Sequence, residues 1–153
     1  KSQYYVAVLT RVYREALDRY FANPSEYVYD QKWLSELEKV SHREYGTGFF
    51  FGNQGYNSQT THPGNSYING YDYLGTVNNV FPDGLAEVIA KNSILGNTPV
   101  EIIGKRLNED FNQILFDIRN EYNEPVKMAH AGQKVFVKVL RPVHKYFMLR
   151  KCG

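Results

Sequence analysis

Residues 134–140 read KVFVKVL, and the alternation in that run decides the fold. Val135, Val137 and Val139 fall on one side of an extended chain and Phe136, Lys138 and Leu140 on the other, because successive side chains of a strand point to opposite faces. One of those faces is core. Working outward, comparable short runs stand at 73–80 (YLGTVNNV), 85–92 (LAEVIAKN), 99–104 (PVEIIG) and 111–120 (FNQILFDIRN), with a further short strand near YFMLR at 146–150. Pro82-Asp83-Gly84, Gly96-Asn97 and Gly104 punctuate them with turn chemistry. Short strands with little helix between them predict a small closed or nearly closed barrel of about 80 residues.

The part before residue 72 has a different rhythm. Tyr5, Val8, Leu9, Val12, Tyr13, Ala16, Leu17 and Tyr20 recur at helical spacing, with Arg11, Arg14, Glu15, Asp18 and Arg19 on the other side, and Asn23-Pro24 ends the helix. Asp30 can cap a second, shorter helix with Trp33, Leu34, Leu37 and Val40 as its apolar stripe and Lys32, Glu36 and Lys39 as its wet side. Two such helices cannot bury both stripes against each other and still form a stable unit, so they need a partner.

Residues 46–70 follow neither period. They are rich in Gly, Asn, Ser, Thr and Gln, yet Tyr45, Phe49, Phe50, Phe51, Tyr56, Tyr67 and Tyr71 argue against simple disorder, since disordered segments are poor in aromatics. The predicted class is therefore α+β: N-terminal helices and a long aromatic, glycine-rich connection over 1–71, followed by a small all-β barrel over 72–153.

Charge is uneven along the chain although the formal sum is only +2. Beyond Glu124 no acid occurs, while Lys127, Lys134, Lys138, Arg141, Lys145, Arg150 and Lys151 follow. A basic stripe on a small β-barrel with exposed aromatics is a common way to track a nucleic-acid backbone and stack bases, so Lys134, Lys138, Arg141, Lys145, Arg150 and Lys151 are candidate phosphate contacts. A solvated surface that aids solubility, or a face for an acidic neighbour, would carry the same charges.

Catalytic signatures are lacking. The single cysteine, Cys152, excludes an intrachain disulfide and a cysteine-based metal site. His42, His62, His130 and His144 lack metal-binding spacing, and no Gly-x-Ser-x-Gly elbow occurs. No catalytic residue, metal ligand or cofactor is assigned to this chain. The scarcity of cysteine points to a reducing, cytoplasmic compartment, and no apolar run approaches the ~20 residues that span a bilayer. Starting at Lys1 directly in helical periodicity, the chain reads as a piece of something longer.

KSQYYVAVLTRVYREALD at 1–18, WLSELEKVSHREYGTGFFFGN at 33–53 and YFMLRK at 146–151 together resemble the C-terminal region of the U32 family of collagenase-like peptidases, and the resemblance covers essentially the whole chain. It implies that residues 1–21 are a late helix of a preceding (β/α) barrel domain, 22–71 a connection, and 72–153 an accessory barrel. Some members of the family are peptidases, and others act in tRNA uridine hydroxylation and carry cysteines for an iron-sulfur cluster. Those cysteines lie upstream of the region resembled here, and Cys152 does not match them.

In a (β/α) barrel enzyme the active site is built from loops at one face. The expectation is that Tyr45 to Tyr56 packs on the preceding barrel near its mouth, making His42, Arg43, Tyr45, Phe49, Phe50 and Phe51 candidate substrate contacts. His42 and Arg43 would equally serve to bond the last carbonyls of the second helix. Three functional readings stand: a non-catalytic portion that positions a macromolecular protein substrate, held in part by main-chain pairing at a barrel edge; a module that binds tRNA; or a purely structural clamp or homodimer surface.

Overall fold

The computed structural model describes residues 2–42, 45, 50, 52 and 70–152. Helix α1 runs Gln3–Ala22, its N-terminus capped by the Ser2 side chain, which accepts from the Tyr5 amide. A 3-10 turn at Pro24–Glu26 leads to helix α2, Gln31–Leu37, capped by Asp30 through the Lys32 amide. Eight strands follow: β1 Tyr71–Val80, β2 Leu85–Ala90, β3 Ile94–Leu95, β4 Pro99–Ile103, β5 Phe111–Ile114, β6 Met128–Ala129, β7 Lys134–Lys138 and β8 Met148–Cys152.

Six of these strands form an antiparallel sheet in the order β5-β4-β8-β1-β2-β7, and β3 pairs with β6. The sheet curls into a half-barrel around Leu74, Val77, Val88, Ile102, Val137 and Leu149. Val135, Val137 and Val139 all point into that core, as the alternation of 134–140 requires, while Lys134 and Lys138 face water. The two outer strands are stitched together rather than left open. Gln113 of β5 donates from Nε2 to the Lys138 carbonyl (2.9 Å) and accepts at Oε1 from the Leu140 amide (3.0 Å). Beyond β5 the chain turns at Asp117, whose φ is 52°, and Arg119 then exchanges both backbone hydrogen bonds with Phe136. The predicted strand 111–120 is thus two pieces separated by a left-handed residue, and on the β7 edge the Phe136 amide and carbonyl and the Lys138 carbonyl, which an extended peptide would pair with, are already occupied.

The helices lie on the outer face of the sheet. On β8, Leu149 points inward and Met148 and Arg150 outward; on β4, Ile102 points inward and Glu101 and Ile103 outward, in register with β8. Tyr4 and Val8 of α1, with Val40, close over Ile103 and Met148, and Tyr4 stacks on Tyr73 of β1 with ring centroids 5.2 Å apart. This packing corrects the two helical wheels. The line of α1 against the sheet is Tyr4, Val8, Arg11 and Val12, so Arg11 is buried although its charge placed it on the wet side. Glu36 is likewise buried on α2, beside Trp33.

Meanwhile Val6, Tyr13, Leu17 and Tyr20, at helical intervals along α1, remain exposed together with Phe21.

Candidate nucleic-acid interface

Where the helices meet the barrel, six charged side chains gather. Arg150 donates twice to Glu36 (2.8 and 2.7 Å), once from Nε to Glu101 (2.9 Å) and once to the Tyr4 hydroxyl (3.1 Å). Arg11 donates to the Gly104 carbonyl (2.9 Å), pairs with Glu36 (3.0 Å) and engages Asp110. Lys39 reaches Glu36 (3.3 Å) and Glu101 (3.2 Å). Three cations answer three carboxylates, so the burial of charge is compensated.

Titration follows the same contacts. Burial raises the Tyr4 phenol to about 12, against the opposing pull of Arg150, so it remains a donor to the Lys39 carbonyl. Burial acts upward on Glu101, but the hydrogen bonds and charges of Arg150 and Lys39 outweigh it and hold the carboxyl below its ordinary range. Asp110 goes the other way, burial prevailing over Arg11 and raising it. Glu36, Glu101 and Asp110 each bring an oxygen within 4.8 Å of the others, the spacing of a cation site. Their lone pairs are taken by guanidinium and ammonium donors, and the cluster is a structural bolt.

This bolt corrects one sequence expectation. Arg150 is 0% exposed, with its guanidinium committed to Glu36, Glu101 and Tyr4, so it offers nothing to a phosphate. Lys151 is partly drawn back as well, 3.6 Å from Asp72. The other four candidates, Lys134, Lys138, Arg141 and Lys145, are exposed and, like Lys127, have no acidic partner among the described residues. Arg141 lies over the Phe111 ring and Lys145 over the Tyr146 ring, at 5.6 and 5.4 Å from their centroids.

The proposed substrate contacts divide differently. His42 is buried, donates from Nδ1 to the Val40 carbonyl (2.7 Å) and stacks on Tyr45 with ring centroids 4.4 Å apart. Tyr45 donates its hydroxyl to the Leu37 carbonyl (2.8 Å). Tyr45 thus satisfies the carbonyl of the last residue of α2, while His42 bonds a carbonyl three residues beyond the helix. Phe50 is 84% exposed, and Arg43, Phe49 and Phe51 lie outside the described residues, as does most of the segment expected to pack on a preceding barrel.

A cleft of about 430 Å³ that no sequence reasoning singled out opens between α1 and the barrel. Ala7, Thr10 and Arg14 of α1 form one wall, Ile103 to Arg106 the opposite one, and Tyr146 and Met148 the end. Asp18 holds Arg14 through Nε (2.9 Å) and Arg106 through Nη1 (2.6 Å), which places two guanidiniums at the rim. Adjacent Lys105 and Arg106 directly after Gly104 were the only hint in the sequence, and their meeting with α1 is a tertiary fact. No helix among the described residues is long and apolar enough to cross a membrane.

Comparison with known proteins agrees with this two-part construction. Residues 1–60 match the profile of peptidase family U32 and residues 69–150 that of the peptidase family U32 C-terminal domain. Over 153 residues the chain is 31% identical to tRNA hydroxylation protein P1 of Bacillus subtilis, covering 99% of this chain and 36% of that protein. Over 151 residues it is 29% identical to tRNA hydroxylation protein P of Haemophilus influenzae, covering 97% and 32%. The chain thus spans about a third of the length of the curated relatives it matches. Among solved structures, the C-terminal domain of a U32 peptidase of Geobacillus thermoleovorans is similar at 33% identity and a TM-score of 0.49, over 52% of this chain and 99% of that one.

Proposed function

The chain belongs to peptidase family U32, and on that premise we propose that its barrel holds RNA in a tRNA hydroxylation protein, presenting the tRNA to a preceding U32 domain that does the chemistry. The observation that carries this reading is the run of exposed cations Lys127, Lys134, Lys138, Arg141 and Lys145, none with an acidic partner among the described residues. Free lysine and arginine side chains are what a polyphosphate backbone recruits, and the counterions released on contact supply the affinity.

Two further observations support it. Two curated relatives that align with nearly the whole chain are named as tRNA hydroxylation proteins. The seam at Gln113 and Arg119 occupies edge groups of β7 that would pair with an extended protein substrate, which weakens the peptide-holding alternative on that edge. The exposed stripe Val6, Tyr13, Leu17 and Tyr20 on α1 is the surface on which the preceding U32 domain would sit, in keeping with relatives about three times as long.

A filter-binding titration of the full-length protein with tRNA tests the proposal. If about four of these cations reach phosphates, raising monovalent salt from about 50 to about 200 mM weakens binding roughly 50-fold. No binding at the lower salt, or binding indifferent to salt, overturns it.

A further inference from the structure

We propose that the cleft between α1 and the barrel seats one unstacked nucleotide of single-stranded RNA, its base on the Tyr146 ring and its phosphate among Arg14, Lys105 and Arg106. The inference rests on the RNA reading above and goes beyond it by naming where a base enters.

Tyr146 is the first reason. Its φ is 76°, a left-handed backbone that a bulky side chain rarely adopts. The conformation is enforced from outside, by the Tyr146 amide on the Val77 carbonyl (2.8 Å), the Phe147 amide on the His144 carbonyl (3.1 Å) and the Val77 amide on the Phe147 carbonyl (2.8 Å). Nothing in the packing demands a ring there, for the side chain is 66% exposed. Glycine would satisfy the same turn without strain, so an aromatic placed at this position and displayed to solvent is better explained by something it contacts.

Composition of the cleft is the second. Its floor is apolar, from Ala7, Ile103 and Met148. Its rim carries Arg14, Lys105 and Arg106, and Lys145 stands over the Tyr146 ring. Among the described residues two acids are bonded to this rim: Glu109 accepts from the Arg106 backbone amide (2.8 Å), and Asp18 is shared by both arginines, which pull its carboxyl below the ordinary range, Arg106 most strongly. Asp18 engages Arg14 through Nε and Arg106 through Nη1, and the guanidinium groups carry further donors that an incoming anion can take. Arg14, Lys105, Arg106 and Lys145 outnumber Asp18 and Glu109, and this surplus of positive charge beside a flat ring over an apolar floor matches a group that is aromatic and anionic at once. A nucleotide is such a group. Recognition of RNA loops proceeds in this way, with splayed bases stacked on aromatic side chains and phosphates held by Arg and Lys.

Fluorescence-anisotropy titration of the full-length protein with labelled tRNA provides the test, using Tyr146→Gly, Tyr146→Phe and Lys105→Ala. Tyr146→Gly removes the ring while relieving the left-handed strain, so it folds at least as well as the parent by thermal melting. The expected result is about 10-fold weaker binding for Tyr146→Gly with an unchanged salt slope, near-parental binding for Tyr146→Phe, and a salt slope smaller by about 1 for Lys105→Ala. Parental affinity in Tyr146→Gly, with tRNA binding by the parent intact, overturns the nucleotide site and leaves the RNA reading standing. No tRNA binding by the parent at low salt overturns both.

Discussion

Arg150 of β8 and Glu36 of α2 face each other through two parallel hydrogen bonds, Nη1 to Oε1 at 2.8 Å and Nη2 to Oε2 at 2.7 Å, and both are buried. The pair joins the segment that matches the U32 profile to the segment that matches the C-terminal-domain profile. Removing one partner leaves a guanidinium in a low-dielectric site with half its compensation. Glu36→Gln is therefore expected to lower stability by about 3 kcal/mol in urea unfolding. A loss below about 0.5 kcal/mol would mean that Glu101 alone can satisfy Arg150.

Glu101 gives the bolt a pH dependence of known sign. Its carboxyl titrates below the ordinary 4.5 in the folded state, so its contribution is fully present above the unfolded value and is lost as pH falls through the folded one. Asp110, raised by burial, contributes with the opposite sign, and total stability mixes the two. Comparing the parent with Glu101→Gln isolates the first. The variant is expected to be less stable by about 2 kcal/mol at pH 7, with the difference shrinking toward zero as pH drops below 4. A difference that persisted in acid would point to shape rather than charge.

How much of this was legible in the sequence depends on the kind of information needed. Local period and turn chemistry sufficed for the half-barrel: Val135, Val137 and Val139 point inward as their alternation demands, and Asp30 caps α2. Periodicity reports polarity, however, and polarity misplaces a charge that is buried because another buries with it. Arg11 and Glu36 were read as wet, and Arg150 as open to a phosphate, for that reason, since their compensation comes from residues up to 114 positions away. The Tyr146 cleft was illegible for a related reason. Its walls come from α1, from the end of β4 and from the approach to β8, and only the docking of helix on sheet brings them together.

Gln113 closes the barrel with one side chain. Gln113→Leu keeps the volume but leaves the Lys138 carbonyl and the Leu140 amide without their partner. The expected cost is about 2 kcal/mol, accompanied by faster hydrogen exchange at Leu140. Unchanged protection at that amide would show that the Arg119–Phe136 bridge holds the seam unaided.

Gly75 marks the point where β1 shifts register against β8 and lies against β2. A Cβ there would stand 2.6 Å from the Ile89 carbonyl oxygen and 2.9 Å from Val88 Cγ1, and the backbone oxygen cannot move aside without breaking the ladder. Gly75→Ala is expected to destabilise the barrel by about 1–3 kcal/mol, seen as a lower Tm. A neutral substitution would require the register shift to relax.

The exposed face of α1 distinguishes a helix that ends a small domain from one that serves as a joint. Tyr13 is 61% exposed and Leu17 49%, and they are one helical turn apart. If the preceding U32 domain covers them, each buries its side chain there and contributes roughly 1.5–3 kcal/mol. Tyr13→Ser and Leu17→Ser in the full-length protein would then each lower stability by about that amount, and their sum would appear in the double variant as a loss of protease resistance between the two segments. If the face stays in water, surface substitutions of this kind stay within about 0.5 kcal/mol. Chemical denaturation of the three variants reads the difference directly, and a near-zero change in all three would remove the α1 face from the interface.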